Sequence, residues 1–383
     1  MSDGPSENVR RVLLVSTNQL GDCVAFLPVA AAIRKHLPGA RITMLTRRIG
    51  AEAAGLTGCV DDFIITSAPG TAHDVPPAPP RIARGMRFLK QAGALRKERF
   101  DMAFMASGES SATAALLFLG RARKRIGFAD CRLRRLLSIR VEAHEMELEA
   151  RRNLRLLRAA GLPDALERPP CRVPEERLAE ALTLIAKGGA RRPRALIHPG
   201  SSQPTRRWPA AKFADLCSRL IRTGLAQPIL VEGPAEPGLG AQIRGLSAHP
   251  LPVLSQLNGI DLLAAAMAQC DLFVGHSSGP FHLAVLLGRP TVSLWGDTDP
   301  RLWGPTWEAD RHALVRSPLP CAGCEHWDPK RHVVARGPED GAPRSDTRSG
   351  TEGGARPPCE RCFDGITVDA VLEAIRGQLA AHR

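Results

Sequence analysis

The stretch GHSSGPFH at residues 275–282 decides how the fold is read from this sequence. An apolar run at 271–275 predicts a buried strand, and Ser-Ser-Gly-Pro at 277–280 predicts a tight turn. The apolar residues 281–287, followed by Gly288, predict a helix. Backbone N–H groups at the start of such a helix, aligned with its dipole, suit a phosphate or diphosphate. The sequence therefore predicts a strand, turn and helix that bind the charged group of a nucleotide.

Apolar runs alternate with helical patterns on the N-terminal side of this stretch. One series has predicted strands at 9–16, 40–46, 60–66, 101–105 and 125–128, with helices at 24–37, 82–96, 110–119 and 142–160. A second series has predicted strands at 194–198 and 228–232, with helices at 210–223, 239–246 and 260–269. Such alternation favours parallel sheets with right-handed crossovers. The predicted fold class is α/β, with two Rossmann-like doubly wound domains and a ligand cleft between them.

The chain has 383 residues, which suits two domains rather than one core. The expected N-terminal domain covers 1–165, a linker region covers 166–192, and the C-terminal domain covers 193–320. A cysteine-containing tail follows at 321–383, with an aperiodic insertion at 336–358 and a closing helix.

The formal net charge of +13 comes mostly from arginine and implies an acidic partner. Nucleic acid, a phosphorylated glycan and an anionic membrane surface all fit, although arginine excess also arises from genomic base composition. Aromatic residues are only 4% of the sequence and tyrosine is absent. Nucleic acid is therefore disfavoured as a partner, because few side chains are available to stack on bases. The polar N-terminus and the lack of an 18-residue apolar run predict a cytoplasmic protein.

Three polar groups follow predicted strands, and each has a purely structural alternative. Asp22 suits a general base, and it also suits an ordinary helix cap. The segment 198–209, with Arg206 and Arg207, suits a diphosphate, and it also suits a solvated turn anchored by Trp208. In the stretch 275–282, Ser277 and Ser278 suit a phosphate site, and they also suit simple capping of the helix. His282 also suits a position in the hydrophobic core.

Taken together, the three groups resemble the ADP-heptose heptosyltransferases of lipopolysaccharide inner-core synthesis. These are two-domain sugar transferases of the GT-B fold, grouped as glycosyltransferase family 9. The matching residues, in order, are Gly21-Asp22 with Pro28, Pro199-Gly200 with Arg206 and Trp208-Pro209, Gly275 with Ser278-Gly279-Pro280 and His282, and Trp295-Gly296 with Thr298-Asp299-Pro300. The resemblance runs from about residue 13 to residue 305 and so covers both predicted domains.

The resemblance implies an inverting glycosyltransferase without a catalytic cofactor, in which Asp22 deprotonates the acceptor hydroxyl. Arg206 stands where the family usually has a lysine that contacts the donor phosphate, and Glu236 matches a glutamate that binds the donor ribose. Ser277 stands where the family commonly has an acidic residue, which leaves the donor sugar open. The residues implied for donor binding are Gly200, Ser201, Arg206, Arg207, Glu236, Ser277, Ser278, Gly279 and His282, and those implied for acceptor binding are Asn18, Arg123 and Lys124.

The implied partners are a nucleotide-sugar donor, with ADP-heptose expected, and an anionic glycolipid acceptor at the membrane surface. The basic clusters at 121–125 and 132–135 suit such an acceptor, and they also suit a solvated face. The expected location is the cytoplasm, peripheral at the inner face of the inner membrane. Two alternatives stay open: a heptosyltransferase that modifies an autotransporter-type protein, and a nucleotide-sugar-binding protein without catalysis.

Four cysteines form two CxxC pairs, at Cys321 with Cys324 and at Cys359 with Cys362. This spacing suits a tetrahedral four-thiolate site for structural zinc or iron. The long insertion is no obstacle, because the entropic cost of closing a loop grows only slowly with its length. The alternatives are free reduced thiols or a disulfide.

Overall fold

The computed structural model describes residues 9–66, 81–143, 146–187, 193–201, 206–234, 236–255, 257–319, 322–324 and 362–382. The chain divides into two compact units. The first comprises Met1–Glu180, Asn258–Ala265 and His282–Gly288, and the second comprises Ala181–Leu257, Ala266–Phe281 and Arg289–Arg383. The predicted fold class is confirmed, because each unit is built on a parallel sheet flanked by helices. The domain boundaries drawn from the sequence stay a prediction.

Within its described residues, the first unit holds a sheet of six parallel strands. The strands are β1 (Arg11–Ser16), β2 (Arg41–Thr46), β3 (Asp62–Ile65), β4 (Met102–Met105), β5 (Lys124–Phe128) and β6 (Ile139–Val141). They lie in the order β3-β2-β1-β4-β5-β6. The associated helices are α1 (Leu20–His36), α2 (Arg48–Gly55), α3 (Arg81–Glu98), α4 (Ser111–Leu119) and α5 (Glu149–Ala159). The central strands are apolar runs because both faces of the sheet are covered.

A helix α6 (Glu175–Lys187) precedes the second sheet. The strands of that sheet are β7 (Arg194–His198), β8 (Gln227–Val231), β9 (Val253–Leu254), β10 (Leu272–His276), β11 (Thr291–Trp295) and β12 (His312–Arg316). Their order is β12-β11-β10-β7-β8-β9. The remaining helices are α7 (Ala210–Arg222), α8 (Leu239–Leu246), α9 (Ile260–Ala268), α10 (Gly279–Leu286), α11 (Pro300–Trp303) and α12 (Val368–Ala381). When each unit is numbered from its own first strand, both sheets have the same topology.

That shared strand order indicates which edge of each sheet is suited to bind a ligand. The order reverses between β1 and β4 in the first sheet and between β7 and β10 in the second. Val15 pairs with Met105, and His198 pairs with Gly275, so the carboxyl ends of each central pair are level. Ligands of doubly wound sheets bind outside the carboxyl ends at this switch point. Residues that follow β1, β4, β7 and β10 are therefore the ones placed to do chemistry.

One predicted helix starts too early. The helix predicted at 142–160 begins only at Glu149, and the short strand β6 precedes it. The expected linker region at 166–192 includes the helix α6, whose first turn carries Glu175 and Glu176, and the extent of the linker stays a prediction. Acidic residues near a helix N-terminus favour that helix, whereas the proline-rich stretch just before it is typical of a linker. The predicted insertion at 336–358 lies outside the described residues.

Candidate active site

Asp22 lies in the first turn of α1, directly after the carboxyl end of β1. The helix begins at Leu20, four residues before its predicted start. Its N-cap is Gln19, whose backbone N–H donates to Oδ2 of Asp22 over 3.1 Å. Asp22 therefore does stabilise the helix start, although from the third helical position rather than from the cap. The same bond fixes the orientation of the carboxylate at the switch point of the first sheet.

Two further carboxylates surround Asp22. Glu149 begins α5, Glu109 follows the carboxyl end of β4, and both side chains are buried. Burial, and after it the negative charge of Glu149, raise the pKa of Asp22 to about 7, with a smaller contribution from Glu109. A general base works best when its pKa lies near the working pH. Burial and the neighbouring carboxylates therefore make Asp22 a candidate general base.

Glu109 is held by hydroxyl and backbone donors. Its carboxylate accepts from the backbone N–H and the hydroxyl of Thr17, and from the hydroxyl of Thr113 over 2.9 Å. Burial raises its pKa above the ordinary value. The amide of Asn18 donates to the carbonyl oxygen of Ser107 over 3.5 Å, so Asn18 lies at the same edge of the sheet. The structure thus brings the predicted residue Asn18 into the neighbourhood of the carboxylates.

Arg123 and Lys124 lie elsewhere in the first unit. Lys124 begins β5, and Arg123 forms an ion pair of 3.6 Å with Asp101, which precedes β4. Because all strands are parallel, these residues occupy the amino edge of the sheet, opposite to Asp22. The basic residues that follow the carboxyl end of β5 are Arg132, Arg134 and Arg135. Strand direction therefore places Arg123 and Lys124 away from the edge where β5 ends, whereas Arg125 of the same cluster donates to the carbonyl oxygen of Leu136 over 2.7 Å.

Glu236 packs against the loop that follows β7 in the second unit. A Cβ atom placed on Gly200 would overlap the Glu236 carboxylate, and one on Gly233 would lie 2.9 Å from its Oε2. Glycine at both positions lets this buried carboxylate approach the backbone. The structure brings the predicted residues Gly200 and Glu236 together at the switch point of the second sheet. His198 ends β7, and burial, followed by the positive charge of Arg207, lowers its pKa to about 4.

Arg206 is anchored by the turn that follows β11. Its Nε donates to Oδ1 of Asp297 over 3.0 Å, and its Nη2 donates to the hydroxyl of Thr298 over 2.5 Å. The Asp297 side chain is only 2% exposed and that of Arg206 is 17% exposed, so water screens the pair weakly. Arg207 donates through Nε and Nη2 to the carbonyl oxygen of Ser201, over 2.9 and 2.8 Å. Both predicted arginines are thus fixed to the second unit.

The turn after β10 begins α10 at Gly279, as the glycine and proline predicted. Ser277 N–H donates to the carbonyl oxygen of Leu294, and the Ser278 hydroxyl donates to that of His276. Burial lowers the pKa of His282 to about 4. Ser277, Ser278 and Gly279 thus directly follow β10, which pairs with β7, the strand that the Gly200 loop follows.

Four residues of this site escaped the sequence analysis: Glu109, Glu149, His276 and Asp297. Glu109 follows a predicted strand, so the reasoning that singled out Asp22 applies equally to it. Glu149 was hidden because the predicted helix 142–160 placed it in a helix interior. Nothing in the sequence indicates that Asp297 pairs with a residue 91 positions away.

The predicted metal site lies partly outside the described residues, because it includes Cys321 and Cys359. The described cysteines Cys324 and Cys362 are both buried. The Gly323 N–H donates to the carbonyl oxygen of Gly296, and a Cβ on Gly296 would lie 2.9 Å from that of Cys362. Across the described ranges there is no group of three or more potential ligands placed to hold a metal ion. The structural metal site stays a prediction of the sequence.

Within the part of the chain that the structure describes, no helix combines the length and apolar character required to cross a bilayer.

Residues 88–330, more than half of the chain, match the family model described as glycosyltransferase family 9 (heptosyltransferase). Lipopolysaccharide heptosyltransferase 1 of Pseudomonas aeruginosa is 27% identical over 333 residues, which cover 82% of this chain and 86% of that protein. Lipopolysaccharide heptosyltransferase 3 of Escherichia coli K12 is 30% identical over 116 residues, 30% of this chain and 33% of that protein.

The solved structure of E. coli ADP-heptose lipopolysaccharide heptosyltransferase II is similar, with a TM-score of 0.68 and 20% identity. The match covers 85% of this chain and 97% of that chain. At this identity the likeness establishes the fold, which is of the GT-B type.

Proposed function

Because the chain belongs to glycosyltransferase family 9, we propose that it transfers heptose from ADP-heptose to an anionic glycolipid of the lipopolysaccharide-core type. The observation that carries this proposal is the buried position of Asp22 beside Glu149 and Glu109: burial, and after it the charge of Glu149, raise the pKa of Asp22 to about 7. A carboxylate with an ordinary pKa is a weak base for a sugar hydroxyl. This environment supplies a stronger one at the place where doubly wound sheets bind ligands.

In the proposed reaction, Asp22 accepts the proton of the acceptor hydroxyl while the hydroxyl oxygen attacks the anomeric carbon of the donor. The bond between that carbon and the diphosphate oxygen breaks, and ADP leaves with the electron pair. The anomeric configuration inverts because attack and departure occur on opposite faces. We assign the negative charge that develops on the diphosphate to Arg206 and to the N–H groups at the start of α10.

Glu236 supports a nucleoside diphosphate as the donor. Its buried carboxylate lies against Gly200, next to the segment that carries the two arginines. A carboxylate beside cationic groups suits a ligand with vicinal hydroxyls at one end and phosphates at the other. We therefore propose that Glu236 binds the ribose and that Arg206 faces the diphosphate.

On the acceptor side, we propose that the loop following β5 binds the anionic groups of the glycolipid. Residues 129–136, which include Arg132, Arg134 and Arg135, line an open pocket with a volume of about 600 Å³. Asp130 in this loop lies 3.7 Å from Arg152, which in turn lies 4.0 Å from Glu149. The arginine loop therefore adjoins the carboxylates around Asp22 and has an excess of positive charge. Phosphate or carboxylate groups of an acceptor complement this charge.

Arginine substitutions test this acceptor surface. We expect the double variant Arg132→Ser/Arg135→Ser to raise the KM for a phosphorylated acceptor about tenfold, because each contact between exposed charges contributes up to about 1 kcal/mol. The Kd for ADP should not change. The matched control, Arg123→Ser/Lys124→Ser, removes the same charge at the amino edge of the sheet and should leave the acceptor KM unaltered. Equal effects of the two variants would mean that only net charge matters.

Exposed apolar side chains near this loop support a membrane-surface acceptor. They are Met86 and Leu89 on α3, Phe118 and Leu119 on α4, and Leu133 beside the arginines. α3 packs against α4, and α4 packs against the single turn Arg134–Leu136. Apolar side chains among basic ones suit the headgroup region of an anionic bilayer. We propose peripheral contact with the membrane on this face, and the cytoplasmic location stays a prediction.

Direct transfer assays test the function. Purified protein is incubated with ADP-heptose and a heptose-acceptor glycolipid, and ADP release and the mass of the product are measured. We expect ADP release together with a product heavier by one heptose. Because Ser277 stands where the family commonly has an acidic residue, a parallel incubation with an ADP-hexose tests the donor sugar. Transfer to an autotransporter-type protein alone would favour the protein-modifying alternative, and no ADP release with any acceptor would overturn the proposal.

A further inference from the structure

His276 ends β10, immediately before the turn at residues 277–279, and is only 1% exposed. Both of its ring nitrogens are engaged with backbone groups of the second unit. The backbone N–H of Trp208 donates to Nε2 over 2.8 Å, and Nδ1 lies 3.0 Å from the carbonyl oxygen of Gly200. One imidazole ring therefore joins the segment before α7 to the loop after β7.

These contacts define the protonation of the ring. Because Nε2 accepts a hydrogen bond, the proton must lie on Nδ1, which then donates to Gly200. Burial is the main cause that lowers the pKa of His276 to about 3, and the bond to Gly200 opposes it. Electrostatic interactions with His198, Arg206 and Arg207 add smaller contributions that favour the neutral form. The ring is thus neutral and in a single tautomer throughout the physiological pH range.

The ring is also fixed from its sides. Phe213 and Phe363 pack edge to face against it, with ring centroids 5.6 and 5.1 Å away. The indole of Trp208 packs against Phe213 and donates to the carbonyl oxygen of Ile366. An imidazole held on all sides is a rigid spacer between the two backbone segments.

We infer that His276 is a positioning residue of the donor site, and that its neutral imidazole sets the distance between the Gly200 loop and the Arg206–Trp208 segment. This inference rests on the proposed function, in which these two segments hold the nucleoside diphosphate. Gly200 carries the contact with Glu236, and Arg206 and Arg207 directly precede Trp208. His276 acts through these groups and does not itself touch the donor. A side chain that contacts only one of these two segments cannot hold them at a fixed distance from each other.

Replacement by leucine and by glutamine tests this role. His276→Leu removes both hydrogen bonds, whereas the amide of His276→Gln extends toward the position of Nε2 and retains an acceptor for Trp208. We expect the Kd for ADP, measured by titration calorimetry, to rise at least about tenfold in His276→Leu and less in His276→Gln. The KM for the donor should follow the Kd, while the KM for the acceptor should stay unchanged.

His312 provides a matched control. It is a buried histidine of the same sheet, its pKa is lowered to about 4, chiefly by burial, and its Nδ1 lies 3.0 Å from the Thr291 hydroxyl. It begins β12, at the amino edge and two strands away from β10. His312→Leu should lower the Tm as a buried substitution does and leave the Kd for ADP unchanged. An equal loss of Tm in both leucine variants with an unchanged Kd for ADP would reduce His276 to a core residue and overturn the inference.

A measurement on the wild-type protein keeps the test independent of folding in the variants. ¹⁵N NMR of labelled histidine, with the resonance assigned by its loss in His276→Gln, should show the Nδ1-protonated tautomer from pH 5 to pH 8. An Nε2-protonated or titrating ring would contradict the inference. If the wild-type protein binds no ADP at all, the proposed function fails first. If it binds ADP and the variants bind equally well, only the role of His276 fails.

Discussion

Substitution of Asp22 by asparagine should lower kcat by about 10²- to 10⁴-fold, the usual contribution of a positioned general base. Asparagine retains an oxygen that accepts from Gln19 N–H, so the start of α1 and the Kd for ADP should be preserved. The same substitution at Asp62, a half-buried carboxylate that pairs with Arg41 at the amino edge of the sheet, should have no effect on transfer. A single-turnover assay with ADP calorimetry separates catalysis from binding. Full activity in Asp22→Asn would exclude this residue as the base.

The pH profile provides a second measurement of the same role. Because Asp22 must be deprotonated to accept a proton, kcat/KM for the acceptor should rise with pH and level off above about 7, the pKa of Asp22. Glu149→Gln removes the main negative charge that raises this pKa and should move the rising limb to lower pH. Glu109→Gln removes a smaller contribution and should move it less. In Asp22→Asn the limb itself should disappear.

The raised pKa also has a cost in stability. Folding raises the pKa of Asp22 from 3.8 to about 7, so the folded state binds this proton more tightly than the unfolded state does. By linkage, the contribution of Asp22 to the free energy of unfolding becomes less favourable as pH rises through that interval, and it stays so above pH 7. A carboxylate kept basic against its own stability is typical of functional sites and unusual for a helix cap.

Much of the fold follows from local sequence patterns. Buried parallel strands are continuous apolar runs, and the helices between them repeat with helical spacing, so both sheets were predictable as α/β units. The shortest strands could not be predicted in this way. β6 and β9 have only three and two residues, too few for a pattern, and pairing with a neighbouring strand creates them.

A site residue was predictable only where one segment of the sequence contains both the strand that precedes it and the helix that it begins. Asp22 and the turn at 277–279 each follow a strand and begin a helix, so their position at a sheet edge could be deduced. Arg123 and Lys124 precede the predicted strand at 125–128, and strand direction alone places them at the amino edge. The pairs Arg206 with Asp297 and His276 with Trp208 join positions 91 and 68 apart. Only strand order brings such pairs together, and no local pattern contains it.

Loss of Arg206 should be the most damaging change in the second unit. Arg206→Ala should lower kcat/KM by about 10²- to 10³-fold, the usual effect of removing one donor that stabilises transition-state charge. It should also lower the free energy of unfolding by about 3 kcal/mol, because the buried carboxylate of Asp297 loses its cationic partner. Urea unfolding and steady-state kinetics measure the two effects separately. Arg219→Ala is the control, because Arg219 pairs with Asp215 and Asp369, whose side chains are 45% and 80% exposed, so this change strips no buried carboxylate of its ion pair.

The double variant Arg206→Ala/Asp297→Asn separates the structural role of Arg206 from its catalytic role. Neutralising Asp297 removes the buried negative charge that pairs with Arg206 in the wild-type protein, so most of the lost stability should return. Transfer should not recover, because the guanidinium of Arg206 no longer faces the leaving diphosphate. Recovery of both stability and transfer would mean that Arg206 serves only to neutralise Asp297, and the charge on the leaving group would have to be stabilised by the N–H groups at the start of α10 alone.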